Sequence, residues 1–195
     1  MGLLVRLAFH DAATYNVTDG GVDGCVDLDS LENRGLKEAI DLLEPIRRET
    51  TFFEGGGASM LSRADIWVLA GNVMIETAKG PSLEFKVGRV DVEAGSCAGH
   101  ASRHVSAEST SSVETSNVFV DRLGFTHREV VALIGAHVLG KASKANSGYE
   151  GKWVRENDVF SNKYFIDLVH KPWNIRSVDT RSQPAFDQNT FVRSD

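Results

Sequence analysis

The sequence predicts a mainly α-helical protein, and three observations support this class. Apolar residues recur at helical spacing in several segments, helix-capping patterns precede the longest of them, and the alternation typical of β-strands is not evident. Of the 195 residues, 42% are hydrophobic and 25% are charged, as in a globular protein with a sizeable core. We expect a single domain over residues 1–195, with halves at about 1–92 and 114–175, an irregular loop at 93–113 and a tail at 176–195.

The first half predicts helices at residues 5–13, 30–49 and 66–78. Ser30 is the expected N-cap of the second helix, and Pro45 bends or shortens it. The third helix follows a segment that resembles a capping box, residues 62–65 (SRAD), and ends at residues 79–81 (KGP). A loop rich in Gly and Asp separates the first two helices.

The second half predicts helices at residues 114–123, 130–139 and 161–170. A clean capping box, residues 126–129 (THRE), precedes the middle one, so we expect His137 to lie inside a buried helix. The segment between the halves is rich in Ser and Gly and has no apolar period, which predicts the irregular loop. The chain after Asn174 also lacks a period, which predicts a frayed tail.

Charge and hydropathy argue against nucleic-acid and membrane partners. The net charge of −6 leaves no basic footprint for either, and the apolar stretches are far shorter than the ~20 residues that span a bilayer. The N-terminus has no recognisable targeting signal. Cys25 and Cys97, the two cysteines, are too few for a disulfide-rich scaffold and favour a reducing compartment.

Arg6 and His10 are four residues apart in the first predicted helix, so their side chains share one face. Either residue alone would be interpreted as a surface arginine or a hydrogen-bonded core histidine. Together, and beside apolar neighbours, they indicate a pocket that holds an acid–base group next to a fixed cation.

His137 lies in an apolar segment, residues 132–140 (ALIGAHVLG), with Gly135 and Gly140 on either side. The missing side chains would let a flat cofactor approach. A single imidazole without a neighbouring Cys or carboxylate cluster suits haem better than zinc. The alternative is a buried histidine that only makes a hydrogen bond.

Several segments resemble, in order, the signatures of the plant, fungal and bacterial haem peroxidase superfamily. They are residues 6–11 (RLAFHD), 32–36 (ENRGL), 88–91 (GRVD) and 132–140. Residues 147–153 (SGYEGKW) are similar to the class I branch, which contains cytochrome c peroxidase and ascorbate peroxidase, and His137 and Trp153 have that branch's spacing. The resemblance extends from Val5 to about Trp173. It implies the haem peroxidase fold without its first and last helices, a distal half at 1–92 and a proximal half at 114–175.

The resemblance implies a distal site above haem b. His10 would transfer protons, Arg6 would stabilise the departing oxygen, and the Asn33 carbonyl would accept from the other ring N–H of His10. Phe9 occupies the distal aromatic position, where class I members usually have Trp. Asn33 could also be an ordinary polar residue near a helix N-terminus.

On the proximal side the resemblance implies that His137 is the axial ligand of the haem iron. Trp153 would either store an oxidising equivalent or pack under the haem. The family's aspartate partner of the axial histidine is not placed: Asp179 and Asp187 are the candidates within the chain.

The resemblance also bears on calcium and on the electron donor. Asp11, Gly21 and Asp23 resemble distal calcium ligands of the secreted branches, but Cys25 replaces the expected serine and sulfur is a poor calcium ligand. An ordinary Asp/Gly turn is the preferred interpretation. Asn146 stands where ascorbate peroxidases have their ascorbate-binding arginine, so that route to ascorbate is not expected.

The expected function is the reduction of hydrogen peroxide to water, with a cytochrome c-like protein or a small reductant as electron donor. The resemblance implies an intracellular protein, in mitochondria or plastids. The alternative is a truncated, non-catalytic haem-binding or scaffold protein, because helices of the family are missing at both ends.

Overall fold

Helices dominate, and the predicted mainly α class is confirmed. The computed structural model describes residues 1–16, 20–49, 61–93, 97, 112–147, 150–171, 173–177 and 189–193. The α-helices are α1 (Gly2–Ala12), α2 (Leu36–Glu49), α3 (Arg63–Thr77), α4 (Ser112–Ser116), α5 (His127–Ile134), α6 (Lys144–Ser147) and α7 (Lys163–His170). The 3₁₀ turns Leu31–Asn33 and Gly135–Val138 and the π-helical segment Asn117–Arg122 complete the helical elements. Within the described ranges, no helix has the length and apolar character needed to cross a bilayer.

Helix α1 packs against α2 and α3 and forms the centre of the first half. The core here consists of Leu7, Val26, Leu36, Ala39, Leu43, Ile66 and Trp67. Leu7 is fully buried, and burying a leucine side chain contributes ~1.5–3 kcal/mol. Packing of this face fixes α1, while Arg6 and His10 on the same helix stay only partly buried.

The two predicted capping boxes differ in outcome. The box at residues 126–129 is complete and confirms the start of α5. At α3 the Ser62 hydroxyl accepts from the Asp65 N–H at 3.0 Å, but the Asp65 carboxylate does not accept the reciprocal hydrogen bond from the Ser62 N–H. It accepts instead from the Gly88 N–H at 2.8 Å and from Arg89 Nη1 at 2.7 Å. Asp65 therefore anchors the segment around Gly88 to the first turn of α3.

The start of α1 lies against the second half of the chain. A Cβ at Gly2 would stand 3.0 Å from the Gly140 Cα, and a Cβ at Gly140 would stand 3.1 Å from the Gly2 Cα. Val5 packs nearby on a small core of Ala78, Val138, Leu139 and Val154. Gly140 also has a positive φ of 80°, which favours glycine. The helix that carries Arg6 and His10 thus contacts the chain just after His137.

Two predicted helices are shorter than expected. The helix predicted at 30–49 is divided by Gly35, whose φ of 80° breaks the helical path between the 3₁₀ turn and α2. Pro45 lies within α2, which continues to Glu49. The helix predicted at 130–139 ends as α5 at Ile134, so the expectation of His137 inside a buried helix was wrong. His137 belongs to the following 3₁₀ turn.

The boundaries of the predicted loop and tail also need correction. Helix α4 begins at Ser112, before the predicted loop 93–113 ends, and most of that loop lies outside the described residues. In place of a uniformly frayed tail, strands β1 (Trp173–Ser177) and β2 (Asn189–Arg193) pair antiparallel, with Trp173 opposite Arg193. This pairing satisfies backbone groups between distant segments, which local periodicity does not reveal.

Candidate active site

His10 and Asn33 make the contact that defines the candidate site. His10 Nδ1 lies 2.7 Å from Asn33 Oδ1, and Asn33 is almost completely buried. The Asn33 Nδ2 donates to the Asp27 carbonyl at 2.8 Å. Because an amide NH₂ only donates, this second bond orients the side chain and turns its oxygen toward His10. The network assigns the proton to Nδ1 of His10, which makes Nε2 the nitrogen able to accept a proton.

Arg6 is held by the same turn as His10. Its Nη1 donates to the Arg34 carbonyl at 2.9 Å and its Nη2 to the Glu32 carbonyl at 2.6 Å. Burial lowers the pKa of Arg6 from its usual value, and the Glu32 charge acts in the opposite direction. An arginine stays protonated under such changes, so Arg6 provides a cation of fixed position one helical turn from His10.

Asp11 anchors the end of α1 to the loop that follows it. The carboxylate is fully buried, and its oxygens accept from the Gly24 and Cys25 N–H groups, each at 3.0 Å. Burial raises the pKa of Asp11 to about 7; these two amides oppose the rise, and the Asp23 charge adds to it. Among the described residues no group of three or more His, Cys, Asp or Glu is placed to hold a metal ion.

Phe9 lies beside His10 and connects α1 to the second half. Its ring is 37% exposed and meets the His10 ring edge-on, with centroids 5.9 Å apart. Its face stacks on Phe119 of the π-helical segment, at 6.1 Å and an interplanar angle of 24°. Phe9, which the resemblance places at the distal aromatic position, is therefore held by an aromatic pair and remains partly open to solvent.

His137 is placed by the change from α5 to the 3₁₀ turn. Its Nδ1 lies 2.9 Å from the Ile134 carbonyl, which only accepts, so this nitrogen carries the proton. Nε2 is left with a lone pair that could bind a metal. Desolvation lowers the pKa of His137 while the Ile134 carbonyl raises it, although His137 is an exposed residue. The neutral imidazole required of a ligand is therefore favoured.

Two aromatic residues surround the His137 ring. Trp153 meets it edge-on, with centroids 4.9 Å apart, and Tyr164 of α7 stacks on it at 5.2 Å and 24°. Partial burial raises the pKa of Tyr164, so the phenol stays neutral. Tyr164 was not predicted as a site residue, because an aromatic residue in an amphipathic helix is normally part of the core.

The residues around His137 fit haem better than a small metal ion. His137 offers one imidazole nitrogen, with its other nitrogen engaged by a carbonyl, and its flanking partners are aromatic rather than carboxylate. A small metal ion needs several such donors, whereas haem supplies four nitrogens of its own and needs one axial ligand. The donor set therefore suits a haem iron.

Asn146 on α6 packs against the turn that holds Arg6. A Cβ at Gly35, which follows Arg34, would overlap the side-chain amide of Asn146. Gly35 also has a φ of 80°, so a larger residue would be strained as well as obstructed. Asn146, at the position predicted to decide ascorbate binding, thus contacts the turn that holds Arg6.

Two expectations about the proximal partner and the cysteines have different outcomes. Asp179 and Asp187 lie outside the described residues, so the proximal aspartate stays a prediction. Cys25 and Cys97 form a disulfide with their Cα atoms 5.4 Å apart, which does not fit the preference for a reducing compartment. The two are 72 residues apart in sequence, and only the fold brings them together.

Comparison with known proteins gives a consistent result. A family model described as peroxidase matches residues 1–195. A mitochondrial cytochrome c peroxidase of Emericella nidulans is 34% identical over 96% of this chain and 50% of its own length. A probable peroxisomal L-ascorbate peroxidase of rice (Oryza sativa subsp. japonica) is 36% identical over 86% of this chain and 55% of its own length. A putative heme-binding peroxidase of Candida albicans is 35% identical, over 88% and 58%. The chain spans about half the length of the curated relatives it matches.

Proposed function

This chain belongs to the peroxidase family, and we propose that it forms the catalytic core of a haem peroxidase that reduces hydrogen peroxide to water. The observation that carries the proposal is the orientation of Asn33 by the Asp27 carbonyl, which sets the tautomer of His10. A histidine with a defined basic nitrogen beside a fixed arginine is what proton transfer to and from peroxide requires.

We propose haem b as the cofactor, with Nε2 of His137 as its axial ligand. Bound haem would supply the iron at which peroxide binds and the electrons that split the O–O bond. The chain's own contribution is to orient the His137 imidazole, through the Ile134 carbonyl on one side and the Tyr164 ring on its face, while desolvation favours the neutral form. Calcium forms no part of the proposal.

The proposed proton transfers use His10 alone. Its Nε2 takes the proton from one peroxide oxygen and returns it to the other, which leaves as water. The Asn33 oxygen stabilises the positive charge that the ring carries between these steps. Arg6, pinned by two backbone carbonyls, stabilises negative charge on the departing oxygen without having to reorganise.

For the electron donor we propose a cytochrome c-like protein in preference to ascorbate. One relative is named for cytochrome c and another for ascorbate, so the names alone do not choose. Asn146 carries no charge for an ascorbate anion, and the net charge of −6 would attract a basic protein. Trp153 touches His137 and could carry the electron between surface and haem.

We also propose an intracellular, organellar location. The relatives carry the words mitochondrial and peroxisomal in their names. Such a location must accommodate the Cys25–Cys97 bond, which needs an oxidant for its formation.

An absorption spectrum of the haem-reconstituted chain tests the proposal. We expect one haem to bind per chain, and one equivalent of peroxide to convert the resting spectrum to that of an oxidised form, which a reductant returns to the start. Haem binding without any change on peroxide addition would favour the non-catalytic haem-binding alternative. A failure to bind haem would contradict both the proposed peroxidase and the non-catalytic haem-binding alternative.

A further inference from the structure

The disulfide between Cys25 and Cys97 has no role in the proposed peroxide chemistry. Cys25 lies in the loop after α1 and is completely buried, whereas Cys97 is partly exposed. Their Cα atoms are 5.4 Å apart, and 72 residues separate them in sequence. They are the two cysteines of the chain, so each has the other as its sole intramolecular partner.

The Cys25 backbone is part of the anchor beneath the proposed catalytic helix. Its N–H and that of Gly24 donate to the two Asp11 oxygens, each at 3.0 Å. Asp11 follows His10 directly in α1 and is fully buried. A movement of the Cys25 backbone therefore reaches the carboxylate next to His10 through the hydrogen bond of Cys25 itself and that of the adjacent Gly24.

The segment that precedes Cys97 is tied to the same place from the other side. The Val92 N–H donates to the Asp23 carbonyl at 2.9 Å. The Asp91 carboxylate accepts from the Arg63 and Ala64 N–H groups of α3, at 2.8 and 2.9 Å. The disulfide thus closes a junction at which the loop after α1, the start of α3 and the segment before Cys97 meet.

We propose that Cys25 and Cys97 form a redox clamp, which peroxide closes and a thiol reductant opens, and which holds the loop against Asp11 and so fixes α1. Cys97 is the attacking residue because it is the accessible one, and the buried Cys25 resolves the product. The choice of peroxide as the oxidant rests on the proposed function, but the clamp itself does not.

The closing reaction balances with peroxide alone. The Cys97 thiolate attacks one peroxide oxygen, the O–O bond breaks, and the other oxygen takes up a proton and leaves as water, which gives a sulfenic acid. The Cys25 sulfur then attacks the Cys97 sulfur, the S–O bond breaks, and the thiol proton leaves with the hydroxyl as a second water. Two thiols are oxidised by two electrons in total, and one peroxide is reduced to two waters.

Thiol counting on the haem-loaded chain tests the chemistry. The protein is reduced, freed of reductant, treated with peroxide in several-fold excess over haem, then denatured and labelled with a maleimide for mass spectrometry. We expect two labels before peroxide and none after it. In Cys25→Ser, a sulfenic acid on Cys97 should be trapped by dimedone, whereas Cys97→Ser should give no such adduct. Two labels after peroxide, or a dimedone adduct mainly on Cys25, would overturn the proposed chemistry.

Hydrogen exchange and thermal unfolding test the clamp. Reduction of the parent should lower the Tm by roughly 5–15 °C, as for other native disulfides in a chain of this size. It should also speed exchange of the Gly24 and Cys25 amides about tenfold or more. Cys97→Ser should match the reduced parent and be insensitive to reductant, which controls for side effects of the reductant. Unchanged exchange at these two amides after reduction would overturn the clamp.

These measurements are independent of turnover. If the chain fails to react with peroxide at haem, the effect of reduction on exchange still decides the clamp. If haem reacts normally while the amides are insensitive to reduction, the clamp fails and the proposed function stands.

Discussion

Asn33 holds the ring of His10 and is itself held by the backbone of Asp27: the His10 Nδ1–Asn33 Oδ1 distance is 2.7 Å, and Asn33 Nδ2 donates over 2.8 Å. The buried amide therefore has one possible orientation, which gives the histidine a single tautomer. Two hydrogen bonds, one at each end of the amide, restrict Asn33 more than a single bond would. Rotation of the amide would leave a buried polar group without a partner.

Replacement of Asn33 with Leu should slow the reaction of the haem-loaded chain with peroxide by roughly 10–100-fold. The physical reason is that the His10 proton is no longer held on Nδ1. Stopped-flow absorption with excess peroxide measures this rate. Asn162→Leu is the matched control, because Asn162 is exposed and makes no capping hydrogen bond. Equal rates in Asn33→Leu and its control would remove Asn33 from the mechanism.

Replacement of His10 with Leu should leave haem bound but reduce the peroxide rate by about 10²–10⁴-fold, because proton transfer is lost while the axial ligand remains. The resting haem spectrum and the stopped-flow rate are measured on the same sample. An unchanged rate would show that another group transfers the proton.

Replacement of His137 with Ala should weaken haem retention, because the proposed axial bond disappears. Transfer of haem to excess apomyoglobin measures the loss. His170→Ala serves as the control, since His170 is exposed at the end of α7. A variant spectrum identical to that of the parent would identify a different ligand.

Asp11 should make the stability of the chain depend on pH. Its pKa of about 7 in the folded state lies above the value of about 4 for an unfolded aspartate, so the folded chain holds the extra proton between these values. The stability that Asp11 contributes is full below about pH 4 and is lost as the pH rises through about 7. Asp11→Asn should flatten this part of the profile.

Urea unfolding at several pH values measures that slope. Asp29→Asn, an exposed change in the same loop, should keep the slope of the parent. The quantity of interest is the free energy of unfolding of the parent minus that of Asp11→Asn. If this difference rises between about pH 4 and about 7, the direction assigned to the Asp11 pKa is wrong.

Replacement of Trp153 with Phe should reduce oxidation of ferrocytochrome c far more than oxidation of a small phenol that reaches the haem edge. The protein donor's rate should also fall as salt rises and screening shortens to ~8 Å at physiological ionic strength, because the net charge of −6 attracts a basic partner. Steady-state assays of both donors at two salt concentrations measure this. Tyr164→Phe is the control, because it keeps an aromatic ring against His137. Equal losses for both donors would contradict the proposed route.

The sequence predicted features that depend on local spacing. Arg6 and His10 share a helix, and the complete box at 126–129 caps α5, because both patterns are contained within a few residues. The proximity of Asn33 to His10 was expected only from the family resemblance. No local rule relates residues 23 positions apart.

The features that were missed depend on contacts between distant segments. The Asp65 carboxylate accepts hydrogen bonds from Gly88 and Arg89 in place of the N-cap backbone. Capping rules consider only neighbouring residues and therefore do not predict these bonds. The strand Trp173–Ser177 alternates apolar and polar residues over only its first four positions, which is too short a run to predict a strand, and its pairing partner lies beyond it in sequence. His137 left its predicted helix because the chain tightens into a 3₁₀ turn at Gly135.

At the contact between Gly2 and Gly140, the distance between the two halves of the chain is set by backbone atoms. No side chain lies between the two glycines, so α1 and the chain after His137 are in direct backbone contact. This contact does not change when nearby side chains change rotamer. A shift of α1 along its axis would therefore displace the chain next to the 3₁₀ turn that contains His137. In the proposed site, the position of His10 relative to His137 therefore depends on a backbone contact between two glycines.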